Sequence, residues 1–358
     1  MKIVLINAHY THILGGSEIQ CHQIAQGLTE LGIDLTYLAI GGYNDAADLS
    51  YKLLHVEKNP TSIIKACKEL QPDLIYWRFN KNFLASVVNE RELLDTRLVF
   101  SVSHIHDLEP FAYKPIPNLS VLSRVKRRLA HLVKGIQFQK AFRKVDGVIC
   151  NNEEHLKDIT HTNKVYIPNS PFLEYEEFTW PRPYVVWVGN IKAHKHPELF
   201  IDLAKSLNDQ GVDFLMVGDI QQQAYEYLNI SKQLPGNFHF LGSKGVFETN
   251  GIIKSSVFLV HTCEPEGFPN VFLQAWGFSK PVISLFFDPG GVILNEDVGF
   301  VSGDFETMVD QVSNLLEDDS QRQEIGARAT SMIQRKFVKE VNIQKLISFC
   351  ESILNSKG

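Results

Sequence analysis

The feature that most constrains this chain is a rhythm. Apolar runs of strand length alternate with segments of helical period, and the pattern is played twice. "KIVLIN" opens it at Lys2. A helix-period segment from about Ser17 to Leu31 follows, with Ile19, Ile24, Leu28 and Leu31 on or near one face. "DLTYLAI", "DLIYWRF", "RLVFSVSH", "GVICN" and "KVYIPN" come next. Alternation of this kind predicts a parallel sheet covered by helices. The rhythm pauses at "IPNSPFLEYEEFTWPRP" (167–183), where four prolines sit among acids and aromatics, as an interdomain connection would. It restarts with "YVVWVGN", a helix from about Pro197 to Leu207, and "DFLMVGD". "FHFLG", "VFLVHT" and "KPVISL" follow, and the stretch from about Gln321 to Leu354 is helical by pattern.

The expected class is therefore α/β, with two doubly wound parallel sheets. A length of 358 residues suits two domains. Two such sheets leave a cleft, and ligands of these sheets bind at the carboxyl ends of strands, near helix starts. Every feature singled out below falls at such a place.

Bulk properties narrow the function. A formal net charge of -6 argues against a dedicated nucleic-acid binder. The five cysteines, Cys21, Cys67, Cys150, Cys263 and Cys350, are scattered without C-x-x-C spacing. They read as buried thiols of a reduced, cytoplasmic protein, and not as a disulfide scaffold or zinc site. No apolar run approaches the ~18–20 residues that span a bilayer. The opening "MKIVLINAHYTHILGG" is too short and too polar after Ile6 for a signal peptide.

Five places could carry chemistry. In "EPEGFPNVFLQAWGFSKPVISL" (264–285), Glu266 precedes Pro269, a good first helical residue. The amides of Gly267 and Phe268 would then lie at the positive end of a helix dipole, which attracts phosphate. Gln274 lies eight positions after Glu266, on the same helix. An acid at this position also serves as a plain helix cap. In "WVGNIKAHKHPELF", Lys195 comes just before a helix and could neutralise a leaving phosphate, although a lysine is more often solvated. In "AHYTHILGGSE", Gly15 and Gly16 would let backbone approach a ligand, with Ser17 as helix cap. There is no G-x-G-x-x-G after the first strand and no G-x-x-x-x-G-K-[ST], which removes the sequence support for a nicotinamide, flavin or P-loop protein.

In "SVSHIHDLEP", His104 and His106 end a strand, where a histidine can hydrogen-bond a substrate, although a loop pair is more often structural. No further ligands at metal spacing accompany them and no D-x-D occurs, so no metal and no bound cofactor is expected. Lastly, no acid occurs from Phe111 through Val145. That stretch carries Arg124, Lys126, Arg127, Arg128 and Lys134 among Leu129, Leu132, Val133 and Ile136. It reads as a basic, partly amphipathic helix suited to an anionic membrane surface, or as an ordinary solvated face.

Taken together, these segments resemble the retaining GT-B glycosyltransferases of family 4, over nearly the whole chain. "EGFPNVFLQAWGFSKPVISL" resembles the family's E-x7-E signature and the A-x-x-x-G-x-P-V stretch after it. "WVGNIKAHK" resembles its G-R-L-x-x-x-K phosphate-binding segment, and "GGSE" its first-domain glycine loop. "FDPGGVILNEDVGFVSGD" resembles the segment after the signature, and "KVYIPNS" the strand leading out of the first domain.

The resemblance implies two Rossmann-like domains facing a cleft: an acceptor-side domain over 1–167, a linker over 168–183, a nucleotide-sugar domain over 184–335, and a last helix over 336–358 returning to the first domain. It implies transfer of a sugar, without metal, from a nucleotide-diphosphate sugar to a carbohydrate or lipid-linked acceptor. Glu266, Lys195 and His106 would be catalytic. Gly15, Gly16, His104, Gly189, Asn190, Lys195, Glu266, Gly267, Phe268, Pro269, Asn270 and Gln274 would form the donor site, His104 rivalling His106 beside the sugar. The protein would be cytoplasmic, with possible contact at the membrane's inner face. Two positions depart from the pattern: the family's second Glu is Gln274 here, and its phosphate-binding Arg is Asn190. They keep open an inactive sugar-nucleotide-binding homologue; a sugar-nucleotide epimerase on a similar two-domain fold is a further alternative.

Overall fold

A computed structural model of the chain describes residues 1–12, 15–42, 49–91, 95–102, 107, 109–112, 120–229, 234–265 and 267–356. It divides into two compact units, Met1–Asn169 with Lys339–Gly358, and Ser170–Val338.

The strands of the first unit are β1 (Lys2–Asn7), β2 (Asp34–Ile40), β3 (Lys52–Val56), β4 (Leu74–Trp77), β5 (Arg97–Val102), β6 (Gly147–Cys150) and β7 (Lys164–Tyr166). Among the described residues they form one sheet in the order β3-β2-β1-β4-β5-β6-β7, with every pairing parallel. The helices between them are α1 (Gly16–Glu30), α2 (Pro60–Leu70), α3 (Leu84–Arg91), α4 (Val121–Phe142) and α5 (Glu153–Asp158). Both faces of the central strands are covered, which is why they read as unbroken apolar runs. Val4, Ile6, Ile75, Trp77 and Phe100 pack on one side, and Ile3, Leu5, Tyr37 and Tyr76 on the other.

The second unit repeats the plan with β8 (Tyr184–Val188), β9 (Asp213–Val217), β10 (Phe238–Phe240), β11 (Leu259–His261), β12 (Val282–Ser284) and β13 (Gly299–Val301). Their order is β10-β9-β8-β11-β12-β13, again all parallel. Its helices are α6 (Pro197–Ser206), α7 (Val246–Ser255), α8 (Asn270–Gly277), α9 (Val292–Asn295), α10 (Phe305–Glu317) and α11 (Asp319–Lys336). The final helix, α12 (Lys339–Asn355), belongs to the first unit. There it packs on α1 so closely that a Cβ on Gly27 would lie 2.8 Å from Ile343 Cγ1. Asn342 Nδ2 donates to the Pro168 carbonyl at 3.2 Å, so the chain's exit from this unit and its return are fastened together.

Local details differ from the sequence reading in physical ways. α1 is capped by Gly15, not Ser17; Ser17 sits one residue inside the helix, and its hydroxyl accepts a hydrogen bond from Asn7 Nδ2. Leu31 lies just past the helix and is exposed, so the buried face is Ile19, Cys21, Ala25 and Leu28. Strands β3 and β13 were not anticipated. Both are edge strands, only partly buried, and so carry a weaker apolar signal.

The proline-rich stretch that reads as a connection is tied down at its start, where residues 168–170 and 172 are buried, while 174–177 and 181–183 are exposed. Residues 170–183 belong to the second unit. Asn250, fully buried on α7, donates to the carbonyls of Phe172 at 2.8 Å and Glu174 at 2.7 Å. The neighbouring Gly251 is needed because any Cβ there would meet the Glu176 carbonyl oxygen at 1.9 Å. Farther along, Trp180 Nε1 and Arg182 both donate to the buried Asp213 carboxylate on β9, and so keep that carboxylate paired. Asn250→Ala would strand two buried carbonyls. It should lower unfolding free energy by roughly 2–4 kcal/mol, read as a reduced urea midpoint.

Candidate functional site

A parallel sheet gathers the loops that follow its strands at one edge. In the second unit the strand order reverses between β8 and β11, and the chains leaving these neighbours diverge, which opens a crevice at their carboxyl ends. The loop after β8 runs through Gly189, Asn190, Ile191 and a single 3-10 turn, Ala193–Lys195, into α6. The loop after β11 runs through Thr262, Cys263 and Glu264 into α8.

These two loops are bound to each other. Thr262, fully buried, donates from Oγ1 to the carbonyls of Lys195 at 2.7 Å and His196 at 3.0 Å. The same oxygen accepts from Trp187 Nε1 at 3.0 Å, which roots the pair in β8. The Glu264 amide donates to the His194 carbonyl at 3.0 Å, and Cys263 Sγ lies 3.4 Å from that carbonyl. His196 Nε2 stands 3.4 Å from Glu264 Oε1 and its Nδ1 3.1 Å from Glu198 Oε1. His196 also turns the chain in the left-handed region, φ +47°, which aims it from the 3-10 turn into α6.

The structure thus brings the backbone of residues 194–196 against 262–264, a few positions ahead of Gly267 and Phe268. Lys195 is half-buried. Glu266 lies outside the described residues. Pro269 caps α8 and is not its first helical residue; Asn270 is. The Phe268 ring turns to the core against Phe337, 5.5 Å between centroids, and Trp276. On α8, Phe272, Leu273, Ala275 and Trp276 are buried, whereas Asn270 and Gln274, one turn apart, share the partly open face. Gly189 and Asn190 are also partly open at the end of β8, and the Gly189 carbonyl is approached so closely that Gly218 tolerates no Cβ, which would lie 1.9 Å away. Among the described residues no group of three or more His, Cys, Asp or Glu side chains could hold a metal ion.

In the first unit the equivalent reversal lies between β1 and β4. Gly15 and Gly16 open α1 there, and a Cβ on Gly15 would sit 2.2 Å from Glu18 Oε2, so the glycine makes room for a carboxylate folded back over the helix start. Burial raises the Glu18 pKa, which its own amide and Arg78 partly offset. Arg78, directly after β4 and almost fully buried, donates to Asn169 Oδ1 at 3.1 Å. Its charge ends the apolar run "LIYWR", a signal that could have marked it. Thr262 gives no comparable signal, because its role depends on two distant loops. His104 and His106 lie outside the described residues. Arg124, Lys126, Arg127, Arg128 and Lys134 are all exposed on α4.

The loop after β1 instead holds a histidine–tyrosine cluster unforeseen from sequence. His9 Nε2 and His22 Nδ1 both meet the Tyr51 hydroxyl, at 2.8 and 2.7 Å. Burial is the main cause that lowers each ring to about 4; neighbouring histidines add to it at His9, and Lys339 at His22.

Two outcomes are expected. Both rings are neutral in the fold but titrate near 6.5 when unfolded, so their contribution is intact above pH 6.5 and is lost as pH falls toward 4. Urea midpoints should therefore drop across that window, and His9→Gln with His22→Gln should flatten the drop. Thr262→Val leaves a buried indole N–H and two carbonyls without their partner; denaturation should show a loss of about 2–4 kcal/mol, which Thr262→Ser largely restores.

Comparison with known proteins bears on this site. Residues 176–332 match the family model described as glycosyl transferases group 1. A capsular polysaccharide biosynthesis glycosyltransferase of Staphylococcus aureus, CapM, is 24% identical over 177 residues, 47% of this chain and 46% of that protein. The match thus spans about half the length of that curated relative. Among solved structures, a sucrose-phosphate synthase of Thermosynechococcus elongatus superposes over all of both chains with TM-score 0.77 at 15% identity. Anabaena HepE in complex with UDP-glucose superposes over 98% of this chain and 100% of its own, with TM-score 0.72 at 17% identity. Residues 176–332 are thus similar to group 1 glycosyl transferases, in a chain whose two Rossmann-like units are those of the GT-B fold.

Proposed function

We propose that the protein is a retaining, metal-independent glycosyltransferase of family 4. It would move a sugar from a nucleotide-diphosphate sugar to a carbohydrate or lipid-linked acceptor in glycan biosynthesis. The observation that carries this reading is the fastening of the Lys195 loop to the loop that enters α8, at the reversal point of the group 1 domain. HepE, a structural neighbour, has been solved with UDP and with UDP-glucose, which makes a uridine donor the first to try.

The chemistry follows from charge. As the bond from the sugar's anomeric carbon to the β-phosphate breaks, the carbon becomes cation-like and negative charge grows on the departing diphosphate. Fixed positive groups at the phosphate lower that barrier. Lys195 and the amides of Gly267 and Phe268 would supply them. Glu266 would accept from a hydroxyl of the donor sugar and so fix the ring, and Gln274 would hold the ribose hydroxyls, as an amide can. Gly189, Asn190, Pro269 and Asn270 would line the same donor site. Gly15 and Gly16 would approach the diphosphate from the first unit, with His106 or His104 beside the sugar. The acceptor oxygen forms its bond on the face the diphosphate leaves, and its proton passes to the phosphate oxygen. The products are a glycoside of unchanged anomeric configuration and a nucleoside diphosphate.

Asn190 and Gln274 favour a second reading, a homologue that binds sugar nucleotides without transferring the sugar, since the family places Arg and Glu there. Release of nucleotide from a donor in the presence of acceptor excludes it. Product formed with no acceptor present would instead point to epimerisation.

Calorimetric titration with a panel of nucleoside diphosphates and their sugars is the test. One ligand of the panel should bind, with Lys195→Ala weakening it by roughly 10- to 100-fold, the value of a charge-assisted hydrogen bond. Glu266→Ala should erase the preference for the sugar nucleotide over the bare diphosphate. Binding by the wild type no tighter than by the Glu266→Ala, Lys195→Ala double variant would end the proposal.

A further inference from the structure

Helix α4 is 22 residues long, about 33 Å at the usual helical rise. It is apolar on two separate faces. Gly135, Phe138 and Ala141 are buried, and the rings of Phe138 and Phe142 lie 5.8 and 5.7 Å from that of Phe100 on β5. Pro110 and Phe111 cross the same side, near enough to Gly135 that a Cβ would sit 2.7 Å from the Phe111 ring. This face holds the helix to its unit.

The second face turns the other way. Leu122, Val125, Leu129, Leu132, Val133 and Ile136 are all exposed, Leu122 to 66% and Leu129 to 57%. At about 100° per residue they form an arc roughly 100° wide, centred roughly 170° from the buried face. The unit therefore cannot cover them by packing tighter. Lys126 and Arg128 flank the arc, Arg124, Arg127 and Lys134 lie beyond, and no acid occurs between Phe111 and Val145.

We propose that this outer face of α4 docks on an anionic lipid surface. The helix would lie in the plane of the interface, its leucines, valines and isoleucine in the acyl boundary and its lysines and arginines at the headgroups. The proposal goes beyond the transfer reaction and stands without it. Charge decides between occupants. Leu122, Val125, Leu129, Leu132 and Ile136 alternate in steps of three and four, the spacing of a coiled-coil seam. A second copy seated on that seam would set Lys126 and Arg128 beside their own kind, with no acid on either helix in reply. Anionic headgroups answer both the apolar arc and the positive rim. Among the described residues no helix is long and apolar enough to cross a membrane, so the contact would be peripheral.

The test is co-sedimentation of the full chain with phosphatidylcholine vesicles, with and without added phosphatidylglycerol. The wild type should bind the mixed vesicles at least roughly tenfold more tightly than the neutral ones, and release as salt rises. Leu122→Gln with Leu129→Gln and Ile136→Gln should abolish binding. Lys126→Gln with Arg128→Gln should weaken it toward the neutral-vesicle level. All five side chains are exposed, so melting temperature and nucleotide titration should not change, which separates this result from the fate of the transferase reading. Wild-type protein that stays in the supernatant with mixed vesicles overturns the proposal. So does vesicle binding indifferent to the three glutamines, or a dimer in lipid-free buffer that those glutamines dissociate.

Discussion

The candidate site rests on the direction of strands. When every strand of a sheet runs the same way, all their carboxyl ends share one edge, and the loops that follow must meet there. Where the order reverses, neighbouring strands send their chains to opposite faces and leave a gap that loops alone can line. In the second unit that gap falls between β8 and β11. Loops are the least determined part of such a fold, so something must fix them. Here it is one hydroxyl, on Thr262, which takes the Trp187 indole hydrogen and gives its own to the carbonyls on either side of the turn into α6. A buried hydroxyl with all its partners holds geometry better than a flexible ion pair would, because each unmade bond carries a desolvation penalty.

The same economy governs polar groups elsewhere in the core. Asn250 ends the hydrogen-bonding needs of two carbonyls in a stretch that has no strand or helix to satisfy them. Asp213 stays buried because an indole and a guanidinium meet it. Of the histidines beside Tyr51, His9 is buried and His22 half-buried, and both sit there by remaining neutral. In each case a side chain supplies what regular secondary structure does not, and irregular backbone is held without a turn motif of its own.

α4 is the exception to this closure. Its inward face obeys the packing of the first unit, and its outward face leaves six large apolar side chains in solvent within a ring of positive charge. Stability of the isolated unit gains nothing from that arrangement. A surface that holds both apolar area and one sign of charge has its natural complement in something with apolar depth and the opposite sign.

The alternation of apolar strands with helical segments made the class, the doubling and most strands legible in the sequence. Buried parallel strands leave nothing but apolar residues between turn signals, so β1, β2, β4 and β8 announce themselves. The edge strands β3 and β13, half in solvent, do not. Gly267, Phe268 and Lys195 stand out as candidates in the sequence because strand ends and helix starts can be read from local spacing. Thr262 and the His9–Tyr51–His22 cluster do not, since each matters through partners far off in the chain: Trp187 is 75 residues from Thr262, and Tyr51 is 42 from His9. Sequence by itself determined which segments are strands and helices, and so where ligand-binding loops must fall, because periodicity and punctuation are local. Only the tertiary structure decided which loops are fastened together, which side of α4 is left bare, and how far the proline-rich stretch belongs to the second unit, because those depend on which distant surfaces come to lie against one another.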